Sequence, residues 1–174
     1  ATAAGIAAAQ ATANHAALLD EAPQQIAGGA LRAAISAGLP HLQAAGFAAR
    51  AAAQAVATRS ASKGEQPSRA GQVAFAAASA LREVLEKDQV NWAIAAAKDA
   101  VAQQLLLLGK APQVIVEAEA AAVKGVLDRT AASDLETLEA WLHPDLTADI
   151  SGSRSATAKA LAISADSSPS GRSE

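Results

Sequence analysis

Alanine makes up close to a third of this 174-residue chain, and cysteine, methionine and tyrosine are absent. Alanine is the strongest intrinsic helix former and carries a one-carbon side chain. That single skew therefore constrains fold and chemistry together. It predicts helices that approach one another closely, and it leaves few groups able to react.

The hydrophobic fraction of 51% overstates the available core, because much of it is alanine. Phe47, Phe75, Trp92 and Trp141 are the only aromatic residues. At roughly 25 cal/mol per Å² of buried apolar surface, an alanine core stabilises less than a leucine core of the same length. Without cysteine there is no disulfide to compensate, and no cofactor or metal motif is visible. Association with other protein subunits, or with a second copy of the chain, is the expected source of the missing stability. The four aromatic residues are the expected interface anchors, set against a plain core role for each.

Charge narrows the function classes further. The net charge is −3, and eight arginines and six lysines are interleaved with acids rather than gathered on a stripe. That excludes an ordinary nucleic-acid binder. From Ala1 to Arg59 the only charged residues are Asp20, Glu21, Arg32, Arg50 and Arg59. Surface helices normally carry a charged face, so helices built from this third are expected to be covered by neighbouring subunits. The small-residue start ATAAGIAAAQ lacks the basic and compact apolar regions of an intact signal peptide. It fits a processed organellar or exported protein. The longest uncharged run, Ala33 to Ala49, contains Pro40, His41 and Gln43 and is too weakly apolar to span a bilayer. Any membrane contact is expected to be indirect.

Periodicity and punctuation place the helices. Thr2–Leu19 reads as the first, and Pro23 to about Ala37 as the second, opened by a first-turn proline and weakened by Gly28-Gly29. Gly38-Leu39-Pro40 separates it from a third that runs to about Thr58. The stretch SASKGEQPS, residues 60–68, reads as a linker. From Arg69 to Leu108 there is no proline, which predicts one helix of nearly 40 residues or two broken near Asp88–Asn91. Leu81, Val84, Leu85 and Trp92 share its apolar face, and Glu83 is spaced to pair with Lys87. Gly109 and Pro112 end it. Pro112 opens a helix to Arg129, with Val116, Val123 and Leu127 as its apolar stripe, opposite Glu117, Lys124 and Asp128. A capping box at Ser133–Glu136 then predicts a separate short helix, closed by His143-Pro144.

Reactive constellations are absent. His15, His41 and His143 have no second ligand at metal spacing, and Glu139 with His143 is too sparse for a bundle metal site. No phosphate loop, dinucleotide fingerprint or nucleophile elbow occurs. Glu117 and Glu119, like Asp134 and Glu136, diverge on a helix and do not form a general acid/base pair. Two stripes of small residues, Ala3–Ala7–Ala11 and Ala44–Ala48–Ala52, would let helix backbones meet.

The expected fold is all-α: five or six helices in a bundle or elongated array with a polar, irregular C-terminal tail. Four segments follow: an alanine-rich, charge-poor helical part (1–59), the linker (60–68), an amphipathic helical part (69–150) and the tail (151–174). The expected function is a non-catalytic structural subunit that packs alanine-rich helices against other subunits, in an organellar or membrane-associated complex. The second reading is a helical protein that binds a small ligand or a lipid surface.

Overall fold

Proline starts most of the helices. Pro23, Pro67 and Pro112 each stand at the first position of a helix, and Pro40 directly precedes another. A first-turn proline has no N–H to leave unpaired and its φ is already helical. Where the first turn is well defined, the residue before it (Ala22, Pro40 or Gln66) contributes no side-chain cap. The computed structural model describes residues 2–82, 84 and 86–142, the last eleven as helical backbone. The described residues form six helices: α1 Thr2–Leu18, α2 Pro23–Ser36, α3 His41–Ser62, α4 Pro67–Ser79, α5 Glu86–Leu107 and α6 Pro112–Leu142. The protein is all-α, as its alanine content requires. Trp141, His143 and the tail 151–174 lie outside the residues whose side chains are described.

The helices end as uniformly as they begin. After α1, α2, α3 and α5 one residue adopts positive φ: Asp20 (57°), Gly38 (91°), Gly64 (71°) and Gly109 (65°). At each end its N–H and the next one donate back to the carbonyls of the last turn. Glu21 N bonds Ala16 O at 3.2 Å and Lys110 N bonds Leu105 O at 3.0 Å, for example. This double bond pattern satisfies carbonyls that a helix end otherwise leaves orphaned. Glycine suits the left-handed position because it has no Cβ. Only at α1 does another residue take it.

The described residues up to Ala131 form one compact unit, and the packing that follows is that of this unit. Helix α3 is its pillar. Twelve of its 22 residues are buried, and all but Val56 and Ser60 are alanine. Ala44, Ala48, Ala52 and Val56 join α1 and α2 in one apolar cluster. Ala53, Ala57 and Ala61 join α4, α5 and α6 in another. Ile26 and Val126 are the largest fully buried side chains. The charge-poor helices thus find much of their cover within the chain. The two small-residue stripes divide sharply: Ala44, Ala48 and Ala52 are fully buried, whereas Ala3, Ala7 and Ala11 face outward.

Several boundaries differ from those expected. Ser60–Ser62 continue α3, so the turn to α4 is only Lys63–Gln66. The 69–108 stretch does break, but at residues 80–85 rather than 88–91. No glycine or proline marks that point. Val84 is buried there, and the buried Gln89 amide donates to Val84 O at 3.4 Å across the turn. Leu81 and Val84 therefore lie before α5 rather than on it with Trp92, and Glu83 and Leu85 lie outside the described residues. Helix α6 runs through Ser133 without a break. No glycine or proline lies between Val126 and Leu142, so the S-x-x-E spacing falls inside a continuous helix-forming run.

The face α6 buries also differs. Val116 and Leu127 are exposed at 63% and 51%, while Ala118, Ala122, Gly125 and Val126 are buried. The cause is how close α4 comes. A Cβ added at Gly71 of α4 would overlap the carbonyl oxygen of Ala122, and one at Gly125 would overlap that of Ser68. Backbones this near leave room only for small side chains, so the larger ones turn outward.

Candidate functional site

Eleven large apolar side chains are exposed among the described residues, most densely at the tip of the α5–α6 hairpin. Val101 and Ala118 mark its base, and between them no residue is buried. Those 16 residues carry seven large aliphatic side chains, Leu105–Leu108 and Val114–Val116, and only two charges, Lys110 and Glu117. Leu106 is 63% exposed, Leu107 83%, Leu108 59% and Val116 63%. Scattered apolar residues are ordinary on a protein surface, but a contiguous patch of this kind marks an interaction site. The backbone at the tip is well satisfied internally. Leu108 N, Gly109 N and Lys110 N bond the carbonyls of Gln104, Leu106 and Leu105, and Val114 N and Ile115 N both bond Ala111 O. These bonds lower the polar cost of covering the turn with an apolar surface.

The opposite arrangement occurs where α1 meets α3. Asp20 holds the left-handed position that glycine fills elsewhere. Its carboxylate accepts from Arg59 Nε at 3.0 Å and Nη2 at 3.2 Å, and pairs with Lys63 Nζ at 2.6 Å. Arg59 Nη2 also reaches Leu18 O at 3.5 Å, at the end of α1. Beside this clasp, Ser60 donates to Glu65 at 2.6 Å. The hydrogen bonds from Arg59 and then Lys63 lower the Asp20 carboxyl from 3.8 to about 2, and Asp20 in turn raises Arg59. These charges tie α1 to α3 and are engaged with one another, which gives the clasp a structural role.

A pH dependence follows. The folded carboxyl titrates at about 2 against an ordinary 3.8, so the unfolded chain binds more protons between those values. The clasp's contribution is present above about pH 4 and is lost as the pH falls toward 2. Asp20→Asn, which tolerates the left-handed backbone but carries no charge, is expected to melt below the parent at pH 7. The two melting curves should converge near pH 2. Added salt should narrow the neutral-pH gap, because the clasp is open to solvent.

Of the expected anchors, Phe75 is a core residue, 8% exposed and packed among α4–α6 alanines. Phe47 of α3 and Trp92 of α5 are half-buried and meet at one cleft of about 400 Å³, with Thr2, Gln43, Gly46 and Arg50 around it. Trp141 lies outside the described side chains. His15 and His41 sit exposed on different helices. Among the described residues no three His, Asp or Glu side chains gather as metal ligands, and no helix is long and apolar enough to cross a membrane. The hairpin tip was not among the residues picked out from sequence. Its signal was the unbroken LLLL run with VIV close behind it, which reads equally well as helix core.

The fold and these surfaces define an all-α protein whose described residues form six helices, with an apolar hairpin tip. No protein-family model matches the chain, and comparisons with curated proteins and with solved structures likewise return no match.

Proposed function

We propose that this protein is a non-catalytic structural subunit that docks its α5–α6 hairpin tip into an apolar groove of a partner protein. The observation that carries this reading is the tip itself: five aliphatic side chains, Leu106, Leu107, Leu108, Val114 and Val116, exposed together on a short hydrogen-bonded turn. The charge-free outer face of α1, with Ala3, Ala7 and Ala11 exposed, offers a second surface for close helix packing. The described residues supply no competing reactive cluster.

A protein groove suits the tip better than a lipid surface. Membrane-surface segments carry lysine- or arginine-rich flanks and interfacial tryptophan or tyrosine. This tip is flanked by one lysine, Lys110, and by Glu117 and Glu119, whose carboxylates anionic headgroups would repel. No aromatic residue lies between Trp92 and Trp141.

Replacing Leu106 and Leu107 together by serine tests the reading. Both are exposed, so the melting curve should move little, within roughly 0.5 kcal/mol per site. Native-level complexes recovered with the parent chain should contain a stoichiometric partner that the double variant loses. Identical complexes from both chains would refute tip docking. Flotation with anionic vesicles that the double variant abolishes would assign the tip to membranes instead.

A further inference from the structure

We propose that the cleft between α3 and α5 binds a small planar aromatic carboxylate, its ring against Phe47 and Trp92 and its carboxylate on Arg50. This site is separate from the hairpin tip, and its success or failure does not bear on tip docking.

The first argument is the use of aromatic residues. The chain has four, and Phe75 is committed to the core. Phe47 and Trp92 lie 45 positions apart in sequence, on two different helices, yet they border the same opening and both keep part of their surface accessible. Aromatic faces left partly open to solvent in a cleft are the surface on which another flat ring stacks.

The second is Gly46. It is the only glycine in α3, and its interior position forfeits helix propensity in a chain whose default residue is alanine. An added Cβ would stand 3.4 Å from Cη2 of Trp92. The indole thus lies against the α3 backbone at Gly46, which helps to fix the position of the Trp92 ring. A branched side chain here would press on the indole and displace the ring that lines the cleft.

The third is Arg50, one helical turn beyond Gly46 on the same face. It is exposed and lines the cleft, and no carboxylate is among the residues around it. No hydrogen bond or ion pair engages it among the described residues, whereas Arg59 is fully engaged by Asp20. A guanidinium offers a planar fork that matches a carboxylate in two parallel hydrogen bonds. Gln43 and Thr2 add neutral polar groups at the rim. The volume, about 400 Å³, suits a ligand of one or two fused rings. One arginine without a nest of backbone N–H groups suits a single carboxylate better than a polyphosphate.

The full chain carrying Trp141→Phe, which leaves Trp92 as the sole tryptophan, tests the site with 2-naphthoate as probe. Saturable quenching of Trp92 fluorescence is expected. Arg50→Gln should weaken 2-naphthoate by about tenfold, the worth of one charged hydrogen-bonded contact, and leave the neutral isostere 2-naphthylmethanol unchanged. Gly46→Val should abolish binding of both, with circular dichroism reporting whether it folds. Should that variant fail to fold, the Arg50 comparison decides alone. No saturable quenching, or equal affinity of the Arg50→Gln chain for 2-naphthoate, overturns the site. Binding lost in the Leu106/Leu107 serine variant but kept in Gly46→Val also overturns it, because the probe would then sit on the tip.

Discussion

Gly125→Ala is expected to cost about 3 kcal/mol or more, the upper range for forcing volume into a packed contact. For a chain of this size that lowers the melting midpoint by at least about 6 °C. The expected sign runs against helix propensity, which favours alanine over glycine inside a helix by about 1 kcal/mol. The difference is the neighbour. The new Cβ at Gly125 would overlap the Ser68 carbonyl and stand 3.0 Å from Ser68 Cα. These are backbone atoms of α4, which no rotamer change can move aside. Gly71→Ala meets the same obstacle from the other side, with Val126 N at 2.9 Å. Gly28 is the control. Its nearest neighbour would be the flexible end of Arg32, at 3.7 Å, so Gly28→Ala should raise stability by up to about 1 kcal/mol. Thermal and urea unfolding of the three variants checks the set. Stabilisation by Gly125→Ala would mean that α4 and α6 do not approach as described.

The second large effect is expected at Ala48→Leu, a loss of about 2–3 kcal/mol or more. Ala48 is fully buried, between Ala44 and Ala52 on the face that α3 turns to α1 and α2. Most of the side chains in this cluster are single methyl groups, which cannot change rotamer to make room, so the added carbons must push helices apart. Ala7→Leu changes the same residue type in the same spacing pattern, but Ala7 is exposed. Its effect should stay within about 0.5 kcal/mol. The ratio of the two, read from urea midpoints at constant m-value, tests whether α3 is the pillar of the fold. Equal effects would place the two stripes in equivalent surroundings.

Those two alanine stripes also mark how far sequence reading could reach. Helix content and most helix ends were legible, because they depend on local chemistry. Proline at 23, 67 and 112 and glycine at 38, 64 and 109 act within one turn of chain, whatever lies around them. The end of α1 was legible as well, within one residue, but its cause was not. Asp20 does the work of a glycine there, and only its partners 39 and 43 residues away explain why.

Of the candidate surfaces, the aromatic cleft was half legible. Phe47 and Trp92 stand out in any reading of so few aromatics, but nothing local says that they border one cleft, or that Arg50 lines it too while Arg59 is engaged elsewhere. Val116 and Leu127 led the reading of α6 astray for the same reason. Bulk normally points inward, and here the α4–α6 approach reserves the inside for Ala118, Ala122 and Gly125. The hairpin tip is the clearest case, since four leucines in a row give no sign of facing solvent until the helices around them are placed.

By itself, then, the sequence determined that the chain is helical, where most helices start and stop, and that its contacts are small. Those properties arise from backbone propensity and from capping within a few residues. Only the tertiary structure decided which alanines are core, where the 69–108 stretch breaks, and that the aliphatic bulk lies outside. Each of those depends on the distance between helix axes, set by backbone contacts such as Gly71 with Ala122 and Gly125 with Ser68. That distance is a property of pairs of residues far apart in the chain.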